Sequence, residues 1–327
     1  IKYKGILKNI DNKESKAGRL WVKVYNKINL LIYDNFSPRI FRLLYLRDRF
    51  DVEIAFIEGY ATRIVSGGSS SKKIAWIHID LKQNPWTDIA YRSKEEQIKC
   101  YSLFDEVVSV SNNVKQAADE LFAIKSKVLY NPIDAGDIRI KSSQLSIEKE
   151  KDTFLFVSVG RLVAQKGYDR LIHIIGRLKT EGFKLKLWII GEGTDREYLE
   201  EQIKKWKLQD SADLLGYQNN PYPYLAAGDV FVCSSRSEGY STVVTEALIL
   251  ETPVITTRCA GMEELLDNGK YGIIVANDDI ALLDGMRNIV RNKRLMKKYK
   301  DRVAENRNRY SLPQQMRAIY SICHLYT

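Results

Sequence analysis

"DVFVCSSRSEGYSTVVTEALILETPVITT" spans residues 229–257. An apolar run, "DVFVCSS", leads into a polar loop, then a stretch of helical period, then a second apolar run, "PVITT". Short continuous apolar runs suit strands buried on both faces, and the length between them suits a crossover helix. The unit reads as strand, loop, helix, strand. It carries two carboxylates, Glu238 before the helix and Glu246 about one turn into it, with Gly239 straight after the first.

The same alternation extends in both directions. "TFLFVSVG", "LKLWIIG", "DLLG" and "GIIV" read as further buried strands. Helices are expected at 168–180, 195–206, 222–227, 242–250, 262–266, 279–290 and 292–307, and Pro313 opens a last one to about 325. Upstream, "VEIAFI" (52–57), "KIAWIHI" (73–79), "EVVSVS" (106–111) and "SKVLYN" (126–131) read as strands, with helical patterns at 93–102 and 112–122. Alternation of this kind predicts parallel sheets with crossover helices. Residues 132–152 are polar and weakly periodic, so a linker is expected at 133–152. The organisation is then a first Rossmann-like domain over 1–132, a second over 153–310, and a carboxyl-terminal helix over 311–327 that packs back toward the first. Two such doubly wound α/β domains place a ligand cleft between them, at the carboxyl ends of the strands.

The 327 residues suffice for two domains, and 45% hydrophobic with 28% charged residues is ordinary for a globular chain. No apolar run approaches the roughly 18–20 residues of a membrane span, and no signal peptide is visible. Cys100, Cys233, Cys259 and Cys323 are far apart, and His78, His173 and His324 offer no metal cluster. Reduced thiols in a cytoplasmic protein are expected. The net charge of +10 favours an acidic partner. Residues 1–50 hold twelve cations against four carboxylates, a net +8. No nucleic-acid-binding pattern accompanies them, so no nucleic-acid partner is expected. Residues 20–50 suit two helices divided at Pro38, and Arg39, Arg42, Arg47 and Arg49 alternate with aromatics there. That pattern suits either a domain helix with solvated arginines or a surface that docks on anionic lipid.

In "VGRLVAQKGYDRLI" (159–172) a strand ends at Gly160, and Arg161 and Lys166 lie in the loop before a helix. Guanidinium, ammonium and helix dipole all favour an anion there, and a diphosphate fits. "IIGEGTDREYLE" (189–200) has Gly191 and Gly193 but Arg196 where a dinucleotide fingerprint needs its third glycine. It reads as a tight turn that lines the cleft. In "EGYSTVVTE" the backbone N–H groups of Gly239, Tyr240, Ser241 and Thr242 form a helix start aimed at an anion. Glu246, deeper in, suits a ribose diol, because a carboxylate accepts from two hydroxyls. Glu238 would reach sugar hydroxyls on the other side of the phosphates. Together these describe a nucleotide-sugar site; a capping carboxylate with a solvated helical glutamate is the simpler alternative.

"GRL…KG" followed by "EGYSTVVTEALILETPVITTRCAGMEELLDNG" resembles glycosyltransferase family 4, the group 1 glycosyltransferases of the GT-B fold. The family's E-x7-E hallmark is matched by Glu238 and Glu246, and the resemblance covers residues 153–310. It implies retaining transfer of a hexose from a nucleotide diphosphate sugar, UDP-hexoses first, with no cofactor or metal needed. It places Arg161 and Lys166 on the diphosphate, Glu238 at the donor sugar and Glu246 on the ribose. Gly160, Gly191, Gly239, Tyr240, Ser241 and Thr242 complete the donor cradle. "AWIHID" resembles the family's strand ending in His-Asp, which puts His78 at the donor sugar or acceptor; a structural histidine is the alternative. The family's opening strand and glycine-rich loop have no counterpart, so the first domain reads as lacking its start, in keeping with Ile1 in place of a methionine. A glycan or lipid-linked acceptor of surface polysaccharide synthesis is implied, handled in the cytoplasm or at the inner face of the plasma membrane. A non-catalytic relative that binds nucleotide sugar, or an epimerase on the same fold, are the rival readings.

Overall fold

Leu155 and Val157 face one side of their strand and Phe156 the other, and each finds a separate apolar cluster. Side chains alternate across a strand, so a continuous apolar run can stand only where both faces are covered. The computed structural model, which describes residues 16–45, 50–70, 72–305 and 311–323, meets that requirement with two all-parallel sheets.

The first sheet contains β1 (Val52–Ala55), β2 (Lys72–Ile77), β3 (Glu106–Ser109) and β4 (Lys127–Val128), side by side in chain order. Helices Lys94–Tyr101 and Asn112–Phe122 supply its crossovers as expected. β4 keeps two of its six expected residues. Helix Tyr60–Ser66, between β1 and β2, is not anticipated by the sequence pattern. Ile74, Ile77, Val108, Val114 and Phe122 form this core, and Ile322 and Cys323 of the last helix, Leu312–Cys323, join it.

The second sheet contains β5 (Phe154–Val159), β6 (Leu185–Ile190), β7 (Ala212–Gly216), β8 (Val230–Cys233), β9 (Val254–Thr257) and β10 (Gly272–Val275). Their order is β10-β9-β8-β5-β6-β7. Helix Tyr168–Thr180 covers one face with Leu171, Ile172 and Ile175. Helix Thr242–Ile249 covers the other with Val244, Ala247 and Leu248. The chain winds one way from β5 and the other way from β8. The helices that follow these two neighbours pass to opposite faces of the sheet, and such a reversal of winding is where sheets of this kind bind ligands.

The expected linker holds a helix, Ala135–Ser142. Asp134 caps it by accepting from the Asp137 N–H at 2.9 Å, and Ala135 and Ile138 bury against Ile249. Toward the amino terminus, helices Lys16–Asn35 and Pro38–Tyr45 break at Pro38, which opens the second as a first-turn proline.

Candidate functional site

Lys166 follows β5 and Glu238 follows β8, the two strands that flank the winding reversal. Lys166 Nζ donates to Glu238 Oε1 at 2.6 Å, and Ser235 Oγ donates to the same oxygen at 2.5 Å. Both side chains are largely buried, at 18% and 10% exposed. Burial alone would push the Lys166 ammonium down, but the adjacent Glu238 carboxylate outweighs it and holds the ammonium above the usual lysine range. The sequence reading separated these residues, one for phosphate and one for sugar; the fold makes them an ion pair.

Arg161, two residues past the end of β5, is exposed and has no carboxylate partner among the described residues. The turns after β5 and β6 touch, Gly160 N–H donating to Ile190 O, and Gly191 N–H in turn donates to Gly216 O at the end of β7. A methyl group added at Gly191 would lie 2.0 Å from Gly160 O, so a side chain there would drive the two turns apart.

Buried Arg170 ties the Glu238 loop down. Its guanidinium donates to Ser234 O and Ser235 O, at 2.5–2.9 Å, and to Asn277 Oδ1 at 2.9 Å. Arg236 grips Asp169 with two bonds, 2.9 and 2.7 Å, linking the Glu238 loop to the helix after Lys166. Burial would raise the Asp169 carboxyl, but Arg236 outweighs it and holds the acid low. Neither arginine was singled out in the sequence. Their partners lie more than sixty positions away, and an isolated basic residue carries no local signal.

Ser241 caps helix Thr242–Ile249 by accepting from the Val244 N–H at 3.4 Å. The helix therefore starts at Thr242, and Gly239–Ser241 form the turn that leads into it. Glu246 stands one turn in, half-buried. Its carboxylate has no hydrogen-bond or cationic partner among the described residues, and burial pushes its acid up to about 7. Tyr222 lies near it.

The first domain meets this loop directly. A methyl group added at Gly239 would fall 1.8 Å from the His78 carbonyl oxygen, so glycine alone permits the approach. Ser111 Oγ donates to Gly239 O at 3.1 Å, and the Tyr240 ring stacks on Tyr130 with centroids 4.9 Å apart. Glu264 accepts from Asn112 N–H (2.7 Å), Asn112 Nδ2 (2.9 Å) and Tyr130 OH (3.0 Å), so a second-domain carboxylate sits on the first turn of helix Asn112–Phe122. His78 lies just past β2, its ring edge-on to Phe56 and its Nδ1 3.5 Å from Glu58 Oε2. Asp80, the acid of the His-Asp pair, spends its carboxylate on the Lys82 and Gln83 N–H groups and shapes the turn.

One expectation fails. Arg42 is not a solvated or lipid-facing cation: it is 5% exposed and paired with buried Glu53. An ammonium or guanidinium taken out of water must be paired, and Glu53 supplies the partner. Arg47 and Arg49 lie outside the described residues. Among the described residues no helix is long and apolar enough to cross a membrane.

The family described as "Glycosyl transferases group 1" matches residues 140–309, just over half of the chain. An N-acetylgalactosamine-N,N'-diacetylbacillosaminyl-diphospho-undecaprenol 4-alpha-N-acetylgalactosaminyltransferase of Campylobacter jejuni is 35% identical over 180 residues, 54% of this chain and 48% of its own. An uncharacterized glycosyltransferase of Methanocaldococcus jannaschii is 37% identical over 169 residues, covering 46% and 41%. The chain spans about half the length of the curated relatives it matches. Among solved structures, Anabaena HepE in complex with UDP and glucose superposes with a TM-score of 0.70 at 17% identity, covering 84% of this chain and 78% of that one. The lipopolysaccharide outer core galactosyltransferase WaaB superposes at 0.63 with 17% identity, over 96% and 82%. These likenesses establish the GT-B fold.

Proposed function

The chain belongs to the group 1 glycosyl transferases, and from that premise we propose that it moves a hexose from a UDP-sugar to a glycan or lipid-linked acceptor, with retention at the anomeric carbon. The observation that carries this reading is the convergence at the winding reversal. Arg161, Lys166 and the first turn of helix Thr242–Ile249 offer positive charge where a diphosphate would develop negative charge. Departure of the nucleoside diphosphate is the costly event in glycosyl transfer. Cations and helix N–H groups fixed in advance stabilise the leaving group without reorganisation. They also supply the charge that a divalent cation would otherwise bring, so transfer is proposed to run without added metal.

Glu246, half-buried and without a partner among the described residues, suits the ribose diol; two hydroxyl donors would satisfy both carboxylate oxygens. Glu238, held by Lys166 and Ser235, faces the donor sugar in this reading. His78 meets the sugar or the acceptor from the first domain. Retention then follows from attack on the face the diphosphate leaves. The acceptor class draws on the relatives, among them the undecaprenol-linked transferase of Campylobacter and an amylovoran biosynthesis glycosyltransferase of Erwinia amylovora.

The test is calorimetric binding of UDP, GDP and ADP with their hexose conjugates, followed by turnover of labelled UDP-hexoses with and without EDTA. Saturable UDP binding and EDTA-resistant release of UDP support the reading. Binding of UDP-sugar with no transfer to any glycan or lipid-linked acceptor would leave a binding protein instead. Interconversion of UDP-hexoses without acceptor would make it an epimerase.

A further inference from the structure

β1 and β2 are paired in register, Ala55 opposite Ala75, so the segments that leave their carboxyl ends emerge together. Glu58 and His78 stand on those segments. Glu58 is 4% exposed, and its Oε2 is buried with no hydrogen-bond partner among the described residues. His78 Nδ1 lies 3.5 Å from that oxygen, while the ring as a whole stays 26% exposed. Phe56 packs edge-on against the ring, centroids 5.0 Å apart, and limits its swing. The His78 main chain is the surface on which Gly239 rests.

A buried carboxylate oxygen without a donor is costly, and such atoms in native folds need an explanation. The ring nitrogen that faces it can supply the missing hydrogen. From this geometry we infer that Glu58 is the positioning residue for His78: it holds the imidazole hydrogen on Nδ1 and leaves Nε2 as a hydrogen-bond acceptor on the open side of the ring. Which nitrogen of a histidine carries the proton is set by the bond the other one makes. His78 therefore meets a sugar hydroxyl as an acceptor, orienting it through its hydrogen. The placement of the proton stands on the Glu58 geometry alone; its use at a sugar rests on the function proposed above.

Long-range 15N–1H correlation spectra of 15N-histidine-labelled protein test the proton directly. The chain has three histidines, and H78Q identifies the relevant signal. Followed through titration to the neutral ring, His78 should carry hydrogen on Nδ1 in the unmodified protein and revert to Nε2–H in E58A. A neutral His78 with its hydrogen on Nε2 in the unmodified protein overturns the inference, whether or not E58A folds. Turnover adds a second readout. E58Q should retain the melting temperature and lower kcat by about tenfold to a hundredfold, with KM for the donor little changed. A rise in KM alone would reject the positioning role. Normal transfer by H78Q, with the proton found on Nδ1, would sink the ring's part in transfer and leave the Glu58 pairing standing.

Discussion

Lys166 Nζ and Glu238 Oε1 are 2.6 Å apart, although 72 positions separate them in the chain. The pair joins the cation expected at the diphosphate to the carboxylate expected at the sugar. It also sets what substitution of each partner does. Replacing Lys166 with Met leaves Glu238 buried without its cation, at a cost of about 3 kcal/mol at most. Chemical denaturation should show that loss, and UDP affinity should fall with it. Glu238→Gln removes the competitor for the ammonium, so plain UDP should bind as well as before or better while sugar transfer collapses. Equal loss of UDP affinity in both variants would mean the pair does not divide phosphate from sugar.

Arg161 offers a clean contrast, because it is exposed and has no carboxylate partner among the described residues. Arg161→Ala should leave the melting temperature unchanged. A hydrogen bond to a charged group is worth about 1.5–3 kcal/mol, so UDP affinity should drop roughly 10- to 150-fold. The drop should be smaller for uridine, which has no phosphate. Calorimetry with both ligands reads the difference directly.

Glu246 makes the protein's stability and its binding respond to pH in opposite senses. Its acid is raised from 4.5 to about 7 by burial. The folded state therefore holds a proton that the unfolded state releases between these values, and stability falls as pH rises from about 4.5 to about 7. A ribose diol donates to the ionised form. UDP affinity should therefore rise as pH passes through about 7 and level off above it. Glu246→Gln should flatten both profiles and weaken UDP at high pH. A UDP affinity that is independent of pH in the unmodified protein would remove Glu246 from the ribose.

Much of this arrangement was legible because periodicity is a local property. Helix Tyr168–Thr180 falls where the pattern places it, since it buries a regular apolar stripe. Helix Tyr60–Ser66 escaped because it is seven residues long, has no side-chain cap, and buries a charge: Arg63 is 1% exposed and bonded to Glu96. Helix Ala135–Ser142 escaped because it buries only Ala135 and Ile138, too few to mark a period. At the candidate site, motif spacing singled out Arg161, Lys166, Glu238 and Glu246 one by one. It could not find Ser235, Arg170, Glu58 or Glu264, whose roles come from partners that the fold delivers. Arg42 misled for the same reason: an arginine in a basic stretch reads as solvated until Glu53 is seen beside it.

The two domains are held at the Glu238–Ser241 loop by contacts that can be cut separately. Gly239→Ala would force its methyl group into the His78 carbonyl, so the loop and the first domain must separate. Glu264→Ala removes hydrogen bonds from Asn112, Asn113 and Tyr130; these are exposed, and the loss in stability should be about 1 kcal/mol or less. Small-angle scattering should show a larger radius of gyration for G239A and a smaller increase for E264A. Transfer should fall more than UDP affinity in G239A, because the second domain alone carries the proposed nucleotide site. An unchanged scattering profile for G239A would mean the loop tolerates the methyl group by local shift.

The first helix carries the final prediction. Leu20, Trp21, Val24, Ile28 and Leu31 are all exposed, Trp21 at 73%, and they recur at helical spacing along Lys16–Asn35. Exposed Lys23 and Lys27 accompany them, as does Arg39 on the next helix, within a segment of net charge +8. An apolar stripe with cations beside it fits an anionic lipid surface, where each cation contributes about 1 kcal/mol and the rings enter the interface. This surface replaces Arg42, which is committed to Glu53. The protein should co-sediment with phosphatidylglycerol vesicles at low salt, weakly or not at all with phosphatidylcholine, and less as salt screens the attraction. Replacing Trp21, Val24 and Ile28 with Ser should abolish sedimentation and leave UDP binding intact, since the proposed nucleotide site is in the other domain. Binding that survives those substitutions, or equal binding to neutral vesicles, would place the membrane contact elsewhere or remove it.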